Sequence, residues 1–409
     1  MNTAENCRVC GSSIEQFMTF GQMPIANGFL LEDQFKDEYF FEMKPSFCEK
    51  CFAFQLIDQP DAKQMFNENY PFYSSLSKHM KIHFEKFAEH LIEKYIIDKP
   101  NSFVIELGSN DGIMLKHFKN VGIPHLGVEP SRNVAEVSKN EGINTISEFF
   151  NENLAKNILS EYGNADIVYA ANVMCHIPDL NSVFSGISKI LKPKGVLVFE
   201  DPYLGDMLKK VSYDQIYDEH VYIFSASSVA SICEMHNLEI IDLVAQPTHG
   251  GSMRYYIAPK GSYKPTSNVD LTFKDETQKG FKNIKTYLMF KEDCQKSKRE
   301  LVALLEKVRD KNKRVVGYGA TSKSTTILNY SGIDRELIEF ISDTTPLKQN
   351  KFSPGMHIPI KPYEAFIDNP PDYALLFAWN HANEIFEKET NFIKNGGKWI
   401  RFVPKVEIV

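Results

Sequence analysis

Between positions 212 and 226 the chain reads SYDQIYDEHVYIFSA, which puts Tyr213, Tyr217, Asp218, Glu219, His220 and Tyr222 within ten residues. Taking a proton from a carbon beside a ketone requires a base whose pKa lies near the working pH and a donor for the oxygen on which charge develops. Histidine and tyrosine suit those two roles, with Glu219 placed to orient or tune the imidazole. On local sequence alone the same stretch also reads as an aromatic, charged surface loop with a capping histidine. The elements that position it must decide.

A second constellation lies near the N-terminus. Cys7 and Cys10 form one CxxC pair and Cys48 and Cys51 another. Four thiolates fill the tetrahedron that zinc prefers and leave no position for water or substrate, so the metal would be structural. Gly11 permits the unusual backbone angles of a knuckle. The 37 residues between the pairs exceed what a compact ribbon needs and include GQMPIANGFL, a loop expected to pack on a neighbouring domain. Cys175, Cys233 and Cys294 have no cysteine nearby and read as core residues.

From Ser102 the pattern is strand, tight loop, helix: FVIELGSNDGIMLKHF. Gly108 and Asn110 keep the loop small enough for backbone N–H groups to approach a ligand, while Glu106 and Asp111 offer acceptors to an ammonium group. A second strand, HLGVEP, ends in Glu129, about twenty residues on, where an acidic side chain commonly accepts both ribose hydroxyls of an adenosine. A third, ADIVYAANVMCHIPDL, ends near Tyr169 and leads into Asn172, which joins the cofactor set, and His176, which also reads as a satisfied structural histidine. A fourth, GVLVFEDPYL, follows a helix containing Phe184 and Ile190. Alternating strands and helices predict an α/β fold with a parallel, doubly wound sheet. The loop lacks GxGxxG, which argues against a nicotinamide cofactor.

Two glycines in THGGSMRYYIA allow close backbone approach, and Arg254 is a candidate phosphate contact, although a plain hairpin accounts for the same letters. Phe281, Ile284, Leu288, Leu301, Leu304, Leu305 and Val308 recur at helical spacing and predict a long amphipathic helix. RVVGYGATSKSTTIL then repeats strand, loop and helix. Gly319, Thr321, Ser322 and Lys323 suit a diphosphate better than an ammonium group, with Asp343 at the acidic position. A purely structural duplicate of the first unit is the other reading. YALLFAW and KWIRFV complete a small sheet, with Asn380 and His381 at its ligand edge.

Bulk composition narrows the partners. The 409 residues exceed one core and predict two or three domains. A net charge of −7 with no dense Lys/Arg run argues against nucleic acid. The absence of a basic n-region or an apolar span predicts a cytoplasmic protein without a membrane partner. Oligomeric state is left open, a monomer being compatible with the sequence.

ELGSNDG with the downstream VEP resembles motif I and its acidic successor in class I methyltransferases. Taken in order over almost the whole chain, CxxC…CxxC, ELGSNDG, ANVMCHIPDL, YDEH, THGGSMR, GYGATSKS, SDTTPLKQNKFSPG and AWNH resemble the nucleotide-sugar C-methyltransferases of deoxysugar pathways. That resemblance implies a structural zinc, S-adenosylmethionine in the middle domain, and a sugar nucleotide between the middle and C-terminal domains. The implied reaction adds a methyl to carbon 3 of a 4-keto-6-deoxy sugar carried by a nucleoside diphosphate. By motif, His220 would remove the carbon-bound proton, with Tyr217 and Glu219 beside the same carbon and His176 lining the site. Tyr70 and Tyr73 resemble a family segment that places a tyrosine at the substrate; Phe72 interrupts the pattern, and either tyrosine could correspond. The expected division is a zinc-binding module over residues 1–68, a methyltransferase domain over 69–262, and a linker helix with a Rossmann-like domain over 263–409. A sugar O-methyltransferase and a non-catalytic cofactor-binding scaffold are the rival readings.

Overall fold

The computed structural model describes residues 2–61 and 78–409. Tyr70 and Tyr73 lie outside the described residues.

The central sheet has seven strands in the order Thr145–Ile146, His125–Val128, Val104–Leu107, Ala165–Ala171, Leu191–Pro202, Ser252–Pro259, Leu238–Gln246. Its strands are buried on both faces, and side-chain alternation divides them between two cores. In Ala165–Ala171, Ile167 and Tyr169 enter one core while Val168 and Ala170 enter the other. The first five strands are parallel, as the alternating pattern predicts. The all-parallel expectation needs one correction: Ser252–Pro259 runs antiparallel to both neighbours. It returns from Leu238–Gln246 through the short THGG connection, and a hairpin leaves no room for the crossover that a parallel pair requires.

The C-terminal sheet runs Ile360–Lys361, Ile341–Ser342, Val315–Tyr318, Tyr373–Leu376, Lys398–Arg401, Glu407–Ile408, parallel except for the last strand. Before it, the predicted long helix spans Ile284–Arg309. Its inward stripe is Tyr287, Phe290, Cys294, Leu301, Leu305 and Val308. Leu288 faces solvent instead, at 40% exposure, because Tyr287 rather than Leu288 continues the three- and four-residue spacing.

The N-terminal segment does not close a core of its own. Cys7, Val9, Cys48, Cys51 and Ala53 pack into a core of the central sheet, and Phe17, Met23, Phe54 and Leu56 share one with Leu204, Tyr213, Tyr287, Ile327 and Leu375. Its four-stranded sheet, ordered Tyr222–Ile223, Phe54–Leu56, Pro45–Phe47, Glu15–Gln16, borrows its first strand from the segment just after His220. No helix among the described residues is long and apolar enough to cross a membrane.

Candidate functional site

The four cysteine sulfurs lie within 4.8 Å of one another, with Cys7 and Cys51 at 3.4 Å and Cys10 and Cys48 at 3.5 Å. Thiolates about 2.3 Å from a tetrahedral zinc stand about 3.8 Å apart, so both donor set and cage suit the ion. The two knuckles have the same hydrogen bond: Gly11 N–H donates to Cys7 O at 2.9 Å, and Phe52 N–H to Cys48 O at 2.8 Å. The glycine expected at this turn is present only in the first. In the second, Phe52 takes the left-handed conformation, φ 61°.

At the carboxyl ends of the first strands, Gly108 turns with φ +62° and is closely approached by Val173, which a Cβ would meet at 2.3 Å. Glu129 accepts from Asn110 N–H at 3.0 Å and from Ser131 N–H at 2.8 Å, binding the loop to the second strand. Glu106 is buried, and its Oε2 has no hydrogen-bond partner among the described residues. Burial first, then Asp111 and Glu129, holds its carboxyl well above the usual range. Three clustered carboxyl groups with an unsatisfied oxygen favour a cation, and the ammonium and sulfonium of S-adenosylmethionine supply positive charge. Asn172 sits beyond the next strand with φ 54°, its Nδ2 donating to His249 Nε2 at 3.1 Å.

The segment 213–220 folds inward instead of lying on the surface, and His220 is 5% exposed. Its Nδ1 lies 2.7 Å from Gln215 O. A carbonyl can only accept, so Nδ1 carries the hydrogen and Nε2 the lone pair. The Tyr217 hydroxyl, 2.9 Å from Nε2, is therefore the donor in that bond. Burial, followed by the neighbouring His176, holds the imidazole well below its ordinary range. The His176 ring stands 5.2 Å from it, edge to face, with its own pKa lowered to about 4 by burial. Cys175 joins these two histidines in a cluster whose ligand atoms lie within 4.8 Å of one another.

Glu219 accepts from Asn27 Nδ2 at 2.6 Å. Burial pushes its carboxyl up to about 7, opposed by the Asn27 amide and the Lys348 ammonium. Asp218 turns the other way and accepts from Ala26 N–H at 2.9 Å. The loop between the cysteine pairs thus forms one wall of the site.

The C-terminal unit forms the other wall. Thr321 caps the helix Ser322–Ser331, which docks through Thr325 Oγ1 on Ala26 O and Thr326 Oγ1 on Ile216 O. Asp343 repeats the geometry of Glu129, accepting from Ala320 N–H and Thr345 N–H, each at 2.7 Å. Lys323 donates to His249 O at 3.2 Å and lies 4.7 Å over the Trp379 ring. Lys348 donates to Ala320 O at 2.7 Å. Both bond to carbonyls, and burial lowers both ammonium groups. Trp379 Nε1 donates to Asp214 at 2.6 Å.

Of the residues singled out in the sequence, Tyr217, Glu219, His220, His176, His249 and Lys323 lie together. Gly250 and Gly251 are indeed sites of close approach, by Trp379 and Asp206 respectively. Asn380 and His381 follow Trp379 at the rim, where the His381 side chain is 56% exposed. Arg254 is placed differently: it pairs with Glu200, which also accepts from His83 Nε2 at 2.9 Å, and its guanidinium stacks 3.3 Å from the Phe87 ring. Asn27, Asp214, Glu200, Lys348 and Trp379 carry no local signal of a role. Only the PIANG, TPLKQ and AWNH fragments around three of them stand out.

Three family models match in succession: a putative zinc binding domain over residues 7–66, a methyltransferase domain over 80–243, and a C-methyltransferase C-terminal domain over 247–404. The chain is 33% identical to C-methyltransferase NovU of Streptomyces niveus over 410 residues, covering 99% of this chain and 97% of that one. It is 24% identical over 194 residues to a ubiquinone biosynthesis O-methyltransferase of Colwellia psychrerythraea, covering 43% and 75%. Among solved structures, magnesium protoporphyrin IX methyltransferase from Synechocystis matches at 12% identity and a TM-score of 0.34, over 44% of this chain and 79% of that one. With a zinc cage, a cofactor loop and a buried His–Tyr pair in one chain, and a relative matched end to end, this protein belongs to the C-methyltransferase family and is an S-adenosylmethionine-dependent methyltransferase with a structural zinc.

Proposed function

We propose that the enzyme methylates carbon 3 of a nucleoside-diphosphate-linked 4-keto-6-deoxy sugar. The observation that carries this reading is the fixed tautomer of His220: Nδ1–H is held by Gln215 O, so Nε2 keeps its lone pair, to which the Tyr217 hydroxyl donates. The buried imidazole is neutral and can accept a proton at neutral pH, although burial holds its pKa below the match to working pH expected of a base. The choice of a sugar nucleotide and of carbon 3, which adjoins the ketone, rests on the motif resemblance.

His220 Nε2 takes the proton from the carbon beside the ketone, and the C–H electron pair becomes the enolate. The Tyr217 hydroxyl turns from Nε2 to donate to the enolate oxygen, where a preorganised donor is worth most. Glu219, held by Asn27, fixes the sugar ring beside the same carbon, and His176 closes the wall behind it. Glu106, Gly108, Asn110, Asp111, Glu129 and Asn172 hold S-adenosylmethionine, which supplies an already activated methyl group. Since that group needs no further activation, the protein mainly contributes proton removal and a near-attack alignment. Lys323 and Lys348 flank the loop 319–324 and bond to carbonyls rather than to a carboxylate among the described residues, and there Gly319, Thr321 and Asp343 complete a diphosphate site.

The test is turnover of a panel of nucleoside-diphosphate 4-keto-6-deoxy sugars with S-adenosylmethionine, followed by NMR of the product. A methyl on carbon 3, lost in His220→Asn, is the expected result. A methyl on oxygen would establish the O-methyltransferase reading.

A further inference from the structure

We propose that Asn27, on the loop between the two cysteine pairs, is a positioning residue that couples Glu219 to Ser322 of the phosphate loop. The inference rests on the reading of Glu219 and residues 319–324 as parts of one substrate site.

Three segments far apart in the chain meet at this amide. Nδ2 donates to Glu219 Oε1 at 2.6 Å, and Oδ1 accepts from Ser322 Oγ at 3.0 Å. Both ends belong to one planar group, so fixing either end orients the other. The backbone is held as well: Ala26 N–H donates to Asp218, and Ala26 O accepts from Thr325 Oγ1 at 2.8 Å. Asn27 therefore stays in place while Ser322, the first residue after the Thr321 cap, is where a diphosphate would compete for the hydroxyl. The chain from Ser322 through Asn27 to Glu219 links the loop that binds the nucleotide end of the substrate to the carboxylate beside its reacting carbon.

Among the described residues, the charged and titratable groups against Glu219 include Lys348 from the C-terminal unit, Asp218 beside it, and Cys175 and His176 from the short helix Met174–His176, the latter bonded to the Glu219 backbone. The Asn27 N–H donor favours the ionised carboxylate, so its removal raises the Glu219 pKa.

The test uses the full-length zinc-loaded enzyme. Asn27→Ala, Ser322→Ala and the double variant are compared in kcat, KM and the pH dependence of kcat, with zinc content and S-adenosylmethionine affinity as controls of folding. Loss of a hydrogen bond to a charged group predicts a kcat about 10- to 100-fold lower in Asn27→Ala, with the acid limb moved to higher pH. Ser322→Ala should move the limb the same way by less, and the double variant should resemble Asn27→Ala alone. Asn27→Asp, which sets a second carboxyl against Glu219 in place of the donor, should move the acid limb to higher pH further than Asn27→Ala does. A uniform loss of rate with an unmoved limb, or additive effects of the two substitutions, would overturn the relay. Failure of the underlying reading is separate: the wild-type enzyme would then form no C-methyl product, or Glu219→Gln would leave its rate unchanged.

Discussion

Tyr222 and Gln55 face each other in an antiparallel pair, so the segment leaving His220 is an edge strand of the four-stranded sheet and pairs with Phe54–Leu56, the strand that starts just past the Cys51 knuckle. Leu56 N–H adds a bond to Val221 O at 2.8 Å. Zinc in this cage would therefore act on the site at a distance: it would fix the sheet, and the sheet fixes the exit of the loop carrying His220. Stripping the metal, or Cys48→Ala, should abolish methyl transfer while S-adenosylmethionine still binds. Parallel measurement of turnover and cofactor affinity checks this. Equal loss of both would mean that the metal supports the whole molecule rather than this loop.

The pH dependence follows from two opposite shifts. Burial lowers His220 well below 6.5, so its basic form persists into acid. Burial raises Glu219 to about 7, against the Asn27 donor and the Lys348 cation, and the proposed mechanism uses its ionised form. The rate should fall as pH drops through about 7, because Glu219 gains a proton. In Glu219→Gln, at a reduced rate, that limb should vanish and leave a second fall well below 6.5 from His220. A limb that stays near 7 in the variant would assign it elsewhere.

Arg254 is a stability residue by its contacts. It pairs with the buried Glu200, which also bonds to His83 Nε2, and these two partners hold low a carboxyl that burial would otherwise raise. Arg254→Ala leaves a buried charge uncompensated, which costs about 3–5 kcal/mol. Denaturant unfolding should show the loss. A variant of unchanged stability but raised KM for the sugar nucleotide would restore the phosphate role.

What the sequence discloses depends on how local the signal is. A CxxC pair, a strand ending in a small-residue loop, and YDEH each carry their chemistry within a dozen letters, and Cys7, Gly108 and His220 were legible for that reason. Asn27 was not: its partners, Glu219 and Ser322, are 192 and 295 residues away. Lys348 lies in a connection whose course depends on where Ala320 sits. Arg254 looks the same in sequence whether it meets a phosphate or a carboxylate, and only the pairing of Ser252–Pro259 with Leu191–Pro202, which puts Arg254 opposite Glu200, separates the two. Phe52 shows the reverse limit: the second knuckle adopts the left-handed turn without the glycine that announces the first.

Lys323 and Lys348 make the proposed diphosphate site testable without the sugar. Each substitution to Met should weaken binding of a nucleoside diphosphate by about tenfold or more, at roughly 1.5 kcal/mol per charged hydrogen bond, and reduce its salt dependence. S-adenosylmethionine affinity should not change. Calorimetric titration of both ligands separates the two sites, and unaltered diphosphate binding would move the nucleotide elsewhere.

The most direct measurement is proton exchange at the sugar carbon in deuterated water, with S-adenosylhomocysteine bound in place of the methyl donor. Wild-type enzyme should exchange the hydrogen at carbon 3 for deuterium. Tyr217→Phe should slow the exchange about 100-fold, as loss of an oxyanion donor does, and His220→Asn should stop it. Exchange continuing undiminished in His220→Asn would contradict His220 as the base.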